Sequence, residues 1–223
     1  MKLKLKLSDK PVVLSDQMVR AVLDGRKTQL RQAVKPQPPD GYEFAEWVYM
    51  PDLMFARFEN HDPPDGMWTK RCPHYGRRLW IREAWLPLDD VHRQKFSEPL
   101  GAPLDYGPKF PPTRNGFAYR ATTDGDGDKI RKEYGYKWRP AITMPRWASR
   151  ITLQISNIRM ERVQDITEED ARAEGCWIDE ATHGPCDDSA IDVYRDLWDK
   201  TNGSGSWARN PWVWVYVFQR LSR

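Results

Sequence analysis

Hydrophobic and polar positions divide the chain into strands and a few helices. Residues 2–7 alternate Lys with Leu, as a half-buried strand does. Residues 15–25, SDQMVRAVLDG, predict a helix with Ser15 or Asp16 as N-cap and Gly25 as C-cap. Aromatic and β-branched runs predict further strands at 78–85, 117–121, 149–162 and in the closing WVWVYVFQRL. The last strand lacks a polar face, which predicts burial on both sides.

Two more helices are predicted in the second half of the chain. In DITEEDARAEG, Thr167 and Asp170 form a start resembling a capping box, and Gly175 ends the pattern. In SAIDVYRDLWDKTNG, apolar residues recur at helical spacing on one face. Stretches rich in Pro, Gly and Asp predict long inserted loops at about 35–70, 86–116 and 122–137. The layout favours one mainly β domain over residues 1–223, of the α+β class.

Composition indicates a folded cytoplasmic protein. Eleven Trp and 12% aromatic residues exceed what a disordered chain carries. We find neither an apolar run of about 18 residues nor the apolar core of a signal peptide, so membrane insertion and export are not expected. Three cysteines, Cys72, Cys176 and Cys186, favour reduced thiols over a disulfide framework.

The net charge of +3 is unevenly distributed. Residues 69–82 carry five basic and no acidic side chains, and residues 131–150 carry six basic and one acidic, whereas residues 165–199 are rich in Asp and Glu. Arg and Lys interleaved with Trp and Tyr suit phosphates and stacked bases. The alternative is a solvated basic face over a Trp-rich core.

Two groups of residues carry this basic and aromatic chemistry. In the strand RLWIREAW, alternation puts Trp80 and Arg82 on one face, next to Glu83. The second group is Trp138, Arg139, Arg146, Trp147 and Arg150, in a segment stiffened by prolines. We interpret both as candidate nucleotide-binding groups. The alternative for the strand is that its Arg and Glu pair with neighbouring residues.

The sequence predicts no metal and no cofactor. DGDGD at 124–128 resembles the start of a calcium loop, but Lys129 occupies the position that requires Gly and Gly135 the position that requires Glu. A turn is therefore expected there. Cys72, His74, Cys176, His183 and Cys186 lack the paired spacing of a zinc site. Nucleotide-binding glycine fingerprints and the nucleophile elbow are also missing.

The segment GRKTQLR, residues 25–31, resembles the glycine-lysine signature of the ASCH family. RLWIREAW, WRPAITMPRWASRITLQI, DITEEDARAEG and NPWVWVYVF resemble longer ASCH proteins of phages and prophages. The resemblance implies a PUA-like twisted β-barrel with a few flanking helices and a cleft. It further implies that the signature turn faces a helix carrying an acid.

In ASCH enzymes that remove the acyl group of N4-acetylcytidine, the resemblance assigns the working Lys to Lys27 and the Glu to Glu174. The family's Thr position holds Leu30, which has no hydroxyl, and Thr28 is a possible substitute. We expect weak native activity and a gain on Leu30→Thr. Arg26 and Arg31 of the same segment are candidate binding residues.

Three functions follow as expectations. The first is binding of RNA or a modified nucleoside in the cleft of a PUA-like ASCH barrel. The second is amidohydrolase activity on an N4-acylated cytidine. The third is a phage-encoded adaptor that uses the basic, aromatic surface and the long loops to bind a host protein.

Overall fold

The computed structural model of the protein describes residues 9–50, 53–60, 66–74, 77–87, 117–123, 125–133, 135–177 and 189–221. In these ranges the strands are β1 (Lys10–Val13), β2 (Gln29–Ala33), β3 (Tyr42–Met50), β4 (Leu53–Asn60), β5 (Gly66–Arg71), β6 (Arg78–Arg82), β7 (Trp85–Pro87), β8 (Phe117–Tyr119), β9 (Thr152–Arg162) and β10 (Trp212–Arg220). The helices are α1 (Asp16–Leu23), α2 (Gly125–Glu133), α3 (Glu168–Ala173) and α4 (Ala190–Asn202). The strand predicted at 2–7 and most of the insertion at 86–116 lie outside the described residues.

The described strands form three sheets and no closed barrel. One sheet has the order β1-β6-β9-β10-β2, a second is the meander β3-β4-β5, and a third pairs β7 with β8. Strand β10 is antiparallel to both neighbours, with Val213 opposite Ala33 of β2 and Trp214 opposite Met160 of β9. The mixture of helices and sheets confirms the α+β class, whereas the PUA-like barrel stays a prediction.

The predicted helix caps are confirmed for α1 and α3, and α4 begins with a capping box of its own. Gly25, with φ of +78°, follows α1 in the left-handed conformation that favours glycine. The Thr167 hydroxyl accepts a hydrogen bond from the Asp170 N–H at 3.1 Å and opens α3. Ser189 and Asp192 form a reciprocal capping box at the start of α4.

The chain folds into two compact units. Unit 1 comprises described residues within Met1–Lys10, Asp24–Leu79 and Leu153–Arg223, and unit 2 comprises those within Pro11–Leu23 and Trp80–Thr152. Each unit is assembled from segments that are distant in sequence, so local sequence patterns do not indicate this division. The interpretation of residues 1–223 as one domain with insertions stays a prediction.

The core of unit 1 lies on both faces of β10, as its all-apolar pattern predicts. Trp212, Trp214 and Tyr216 pack on one side with Phe58 and the rest of the β3-β4-β5 meander. Val213 and Val215 point the other way, toward α3 and α4. Residues 212–216 are all buried, so the predicted burial of both faces is confirmed.

Unit 2 has an aromatic core. Trp80, Trp85, Phe117 and Tyr119 pack with two smaller residues of the segment that follows α2, Met144 and Ala148. The Tyr119 hydroxyl donates to the Ala148 carbonyl at 2.7 Å, which satisfies its polar end inside the core.

Some predicted loops were wrong. The range 35–70 contains β3, β4 and most of β5, because alternating aromatic residues outweigh the Pro and Asp residues around them. The range 122–137 contains α2, where Asp128 forms ion pairs with Arg131 and Lys132 one helical turn away. Residues 125–128 of DGDGD therefore lie within α2 instead of forming a turn. The strand predicted at 78–85 is split between β6 and β7.

Candidate functional site

The segment after α1 is fixed in unit 1 by two backbone hydrogen bonds of Thr28, the residue next to Lys27. The Thr28 N–H donates to the Ala173 carbonyl at 2.9 Å, and the Thr28 carbonyl accepts from the Phe218 N–H at 2.9 Å. Ala173 is the last residue of α3, and Glu174 follows it directly. The turn after Gly25 and the end of α3 are therefore held side by side.

Lys27 and Glu174, 147 residues apart in the sequence, form a buried ion pair. Lys27 Nζ lies 2.6 Å from Glu174 Oε2 and donates to the Glu174 carbonyl at 2.8 Å. The Lys27 and Glu174 side chains are 0% and 3% exposed. Glu174 Oε1 is also buried, and no described residue donates to it. The pair thus retains one unoccupied acceptor, which is costly unless a donor arrives.

Two titratable groups near this pair, Cys176 and Tyr194, are held neutral. Burial, followed by the charge of Glu174, raises the pKa of the Cys176 thiol to about 12. The same two causes, in the same order, raise the pKa of Tyr194 well above its ordinary value. Neither residue therefore supplies an anion near neutral pH.

Burial alternates along the segment that contains Lys27. Lys27, Gln29 and Arg31 are buried, whereas Thr28 is exposed and Leu30 is partly buried. Adjacent residues of an extended segment face opposite sides, so Thr28 and Leu30 face away from the Lys27 side. This placement argues against Thr28 as a substitute nucleophile beside Lys27. It also changes the expectation for Leu30→Thr, because the new hydroxyl would face away as well.

Arg31 belongs to a charge network on the buried side of β2. Its Nη2 donates to Glu161 at 2.7 Å and to Asp170 at 2.8 Å, and Arg159 bonds the same two acids. Gln29 donates to Asp170 at 2.8 Å. Burial would raise the pKa of Asp170, but the Gln29 and Arg159 hydrogen bonds and the arginine charges hold it below its ordinary value. Arg31 is thus largely engaged within the fold, although its Nη1 has no partner among the described residues.

Gln29 and Asp170 belong to this network, although neither is a predicted site residue. The two-residue spacing of Gln29 and Arg31 on one strand is the sequence feature that could have placed them on the same side. Arg26, in contrast, is exposed and pairs with Asp24 at 2.8 Å, close to the end of α1.

In unit 2, Glu83 and Arg150 form a bidentate pair. Arg150 Nε and Nη2 donate to the two Glu83 oxygens at 2.9 and 2.8 Å. The Glu83 side chain is 1% exposed, and burial raises its pKa while Arg150 opposes the rise. The Arg150 guanidinium also lies 4.1 Å from the centre of the Tyr119 ring. Both candidates thus contribute to the structure of unit 2, as the alternative for this strand proposed.

Trp80 and Trp138 lie beneath arginines. Arg82 and Arg146 place their guanidinium carbons 4.9 and 5.8 Å from the centre of the Trp80 ring, and Trp80 itself is buried. Arg131 lies 5.7 Å from the centre of the Trp138 ring. Trp80 and Arg82 are therefore neighbours on one face, as alternation predicts, and the Trp80 ring is covered.

Trp147 is the exposed aromatic residue of this group. Trp147 lies in the segment after α2 and is 65% exposed. Its ring centre lies 5.3 Å from that of Phe117 and 6.3 Å from that of Trp85. The Arg139 guanidinium lies 5.2 Å from the centre of the same Trp85 ring, and Arg139 is exposed. We call Trp147, Arg139 and the exposed Ile142 the Trp147 surface.

The described residues contain no group of three His, Cys, Asp or Glu side chains able to hold a metal ion. Cys72 and Cys176 are buried cysteines that form no disulfide with a described residue, whereas His183 and Cys186 lie outside the described residues. Over the same described part of the chain, no helix has the length and apolar character required to cross a membrane.

Comparisons with protein-family models, with curated proteins and with solved structures found no significant match to this chain. The ASCH resemblance therefore stays a prediction that depends on the quoted motifs.

Proposed function

We propose that this protein binds RNA or a modified nucleoside. The observation that carries RNA binding is Trp147, a large aromatic residue that is 65% exposed and contacts Trp85, the ring that the exposed Arg139 guanidinium also contacts. This combination suits a surface that binds single-stranded nucleic acid, because bases stack on aromatic faces and cations neutralise phosphates. A PUA-like ASCH barrel cleft and a cytoplasmic location are the finer parts of the proposal.

Trp147 is positioned before any ligand arrives. Its contacts with Phe117 and Trp85 hold one part of the ring against the core of unit 2 and leave the rest exposed. A ring that is already ordered loses little conformational entropy on binding. Stacking contributes about 1–3 kcal/mol per base in such sites, which is about 5- to 150-fold in affinity.

The test is fluorescence anisotropy with labelled single-stranded RNA of mixed sequence. We expect Trp147→Ala to weaken binding at least fivefold and Trp147→Phe to weaken it less, because Phe still stacks. Arg139→Gln should weaken binding and reduce its dependence on salt between about 50 and about 200 mM. Trp177→Ala is the matched control, since Trp177 is 48% exposed and lies in unit 1.

Equal RNA affinity in the Trp147→Ala and Trp177→Ala variants would contradict this role of Trp147. If the parent binds no RNA at low salt, the Trp147 surface is better explained by a protein partner. The adaptor function then predicts a host protein that is retained after nuclease treatment and lost with Trp147→Ala.

Glu174 Oε1 supports the nucleoside part of the proposal. A buried acceptor without a donor suits the amino or acylamide N–H of a cytosine, since a carboxylate accepts from cytosine N4. If the site is also an amidohydrolase, water adds to the acyl carbonyl and cytidine leaves with a carboxylic acid as the second product. Calorimetric titration with cytidine and N4-acetylcytidine tests binding, and the absorbance change on release of cytidine tests hydrolysis.

The informative variant here is the double substitution Lys27→Met/Glu174→Leu. It replaces both charges with side chains of similar volume, so the fold is expected to survive. Loss of nucleoside binding in a folded double variant supports the site, and unchanged binding locates the nucleoside elsewhere.

A further inference from the structure

A cavity of about 380 Å³ lies in unit 1, between the segment that follows β2 and the start of β10. Its lining comprises Gln37–Gly41, Arg162, Arg209, Pro211 and Trp212. We call it the Arg162 cavity. Its volume falls in the range of small-molecule sites, roughly 300–1,000 Å³. None of the sequence motifs described above includes these polar residues.

The walls of the cavity are fixed by side-chain contacts. Gln37 Nε2 donates to the carbonyls of Val34 and Trp212 at 2.6 and 3.0 Å, and its Oε1 accepts from the Trp212 N–H at 2.8 Å. Asn210, with φ of +44°, accepts from the Gln164 N–H at 3.1 Å and holds the turn before Pro211. A site whose walls are already ordered loses little entropy when a ligand binds.

Arg162 offers the cavity a guanidinium that is held in place. Its Cζ lies 4.3 Å from the centre of the Trp212 ring, and it donates to Glu43 at 2.9 Å and to the Asn210 carbonyl at 3.3 Å. The side chain is 30% exposed. Because Glu43 offsets its charge, the remaining surface of Arg162 is better suited to stacking a base than to binding a second anion.

Arg209 and Asp40 are two charged residues of the cavity lining that a ligand could contact. Both line the cavity and are exposed, and the charge of Arg209 also helps to lower the pKa of Asp199. A ligand that satisfies both must present an anion to Arg209 and N–H donors to Asp40. Mononucleotides carry both groups, separated by a sugar.

We propose that the Arg162 cavity binds a nucleoside monophosphate, either free or at the end of an RNA chain. The base stacks on Arg162, its donor edge faces Asp40, and the phosphate pairs with Arg209. Guanine is the expected base, because its two adjacent N–H groups match the two oxygens of one carboxylate. This inference does not depend on the Trp147 surface, which belongs to unit 2.

The experiment is calorimetric titration of the full chain with GMP, AMP, CMP, UMP and guanosine. We expect saturable 1:1 binding of GMP, with guanosine at least about tenfold weaker because it lacks the charge-assisted contact to Arg209. Arg209→Gln should weaken GMP binding by a similar factor and leave guanosine binding unchanged. Asp40→Asn should remove the preference for guanine over the other bases. Arg195→Gln, an exposed arginine on α4, is the matched control.

Two results would overturn the inference. One is the lack of saturable binding for all four monophosphates, and the other is equal GMP affinity in the Arg209→Gln, Asp40→Asn and Arg195→Gln variants. An RNA with a 5′-terminal guanosine monophosphate distinguishes the two sources, because it competes with GMP only if the cavity accepts a chain end. The GMP titration contains no RNA, so its failure is separate from failure of RNA binding at Trp147.

Discussion

The geometry of the buried Lys27–Glu174 pair leads to a quantitative prediction about the stability of the protein. The Lys27 and Glu174 side chains are 0% and 3% exposed, and 2.6 Å separates their charged atoms. Lys27→Met leaves a buried carboxylate without its cation, and Glu174→Leu leaves a buried ammonium with a backbone carbonyl as its hydrogen-bond acceptor. Removing one partner of such a pair costs about 3–5 kcal/mol. The double variant removes both charges and should lie close to the parent.

Thermal unfolding followed by circular dichroism measures these effects. For a chain of about this size, 1 kcal/mol corresponds to roughly 2–4 °C in Tm, so each single variant should melt roughly 6–20 °C below the parent. The double variant should melt within a few degrees of it. Arg57→Met, which removes a partly exposed cation from β4, controls for loss of a positive charge.

Two outcomes would refute the reasoning. Single variants that melt within about 2 °C of the parent would mean that the two charges are solvated instead of buried together. A double variant that loses the sum of both single effects would mean that the side chains do not interact, because interacting residues are non-additive.

Three further predictions concern other residues. Burial, followed by nearby Arg77 and Lys10, lowers the pKa of His74 from 6.5 to about 4, so the unfolded chain binds the proton more readily. Stability should therefore fall as pH drops from about 6.5 to about 4, and urea titrations of His74→Gln should show a shallower fall. Ser189→Ala removes the α4 capping box and should cost about 1 kcal/mol in urea unfolding. Leu30→Thr should release no more cytidine from N4-acetylcytidine than the parent, and a clear gain would contradict the alternation around Lys27.

Local signals predicted the helices whose ends carry their own caps. Thr167 and Ser189 begin α3 and α4 by hydrogen bonds to residues three positions later, so a short stretch of sequence contains the whole interaction. Strand β10 was equally readable, because burial on both faces removes polar residues from both. The β3-β4-β5 meander was missed, since the prolines and aspartates around it resemble those of a long loop.

The candidate site depended on information that no local pattern contains. The contact of Lys27 with Glu174 spans 147 residues, and only the family resemblance placed the two together. For the aromatic residues, the sequence indicated the face on which a side chain lies but not its exposure. Alternation correctly put Trp80 and Arg82 on one face, but it does not indicate that arginines cover Trp80 while Trp147 stays exposed, because exposure depends on elements distant in sequence.

The pairing of β2 with β10 has a consequence for protein synthesis. Ala33 lies opposite Val213, 180 residues later, and among the described strands β2 has β10 as its only neighbour. At about 5–20 residues per second, a ribosome needs roughly 10–40 s to supply that partner. During this interval the β2 backbone has unpaired N–H and C=O groups that can join another nascent chain. The yield of folded protein should therefore respond to chaperone supply and translation speed, even where the finished fold is stable.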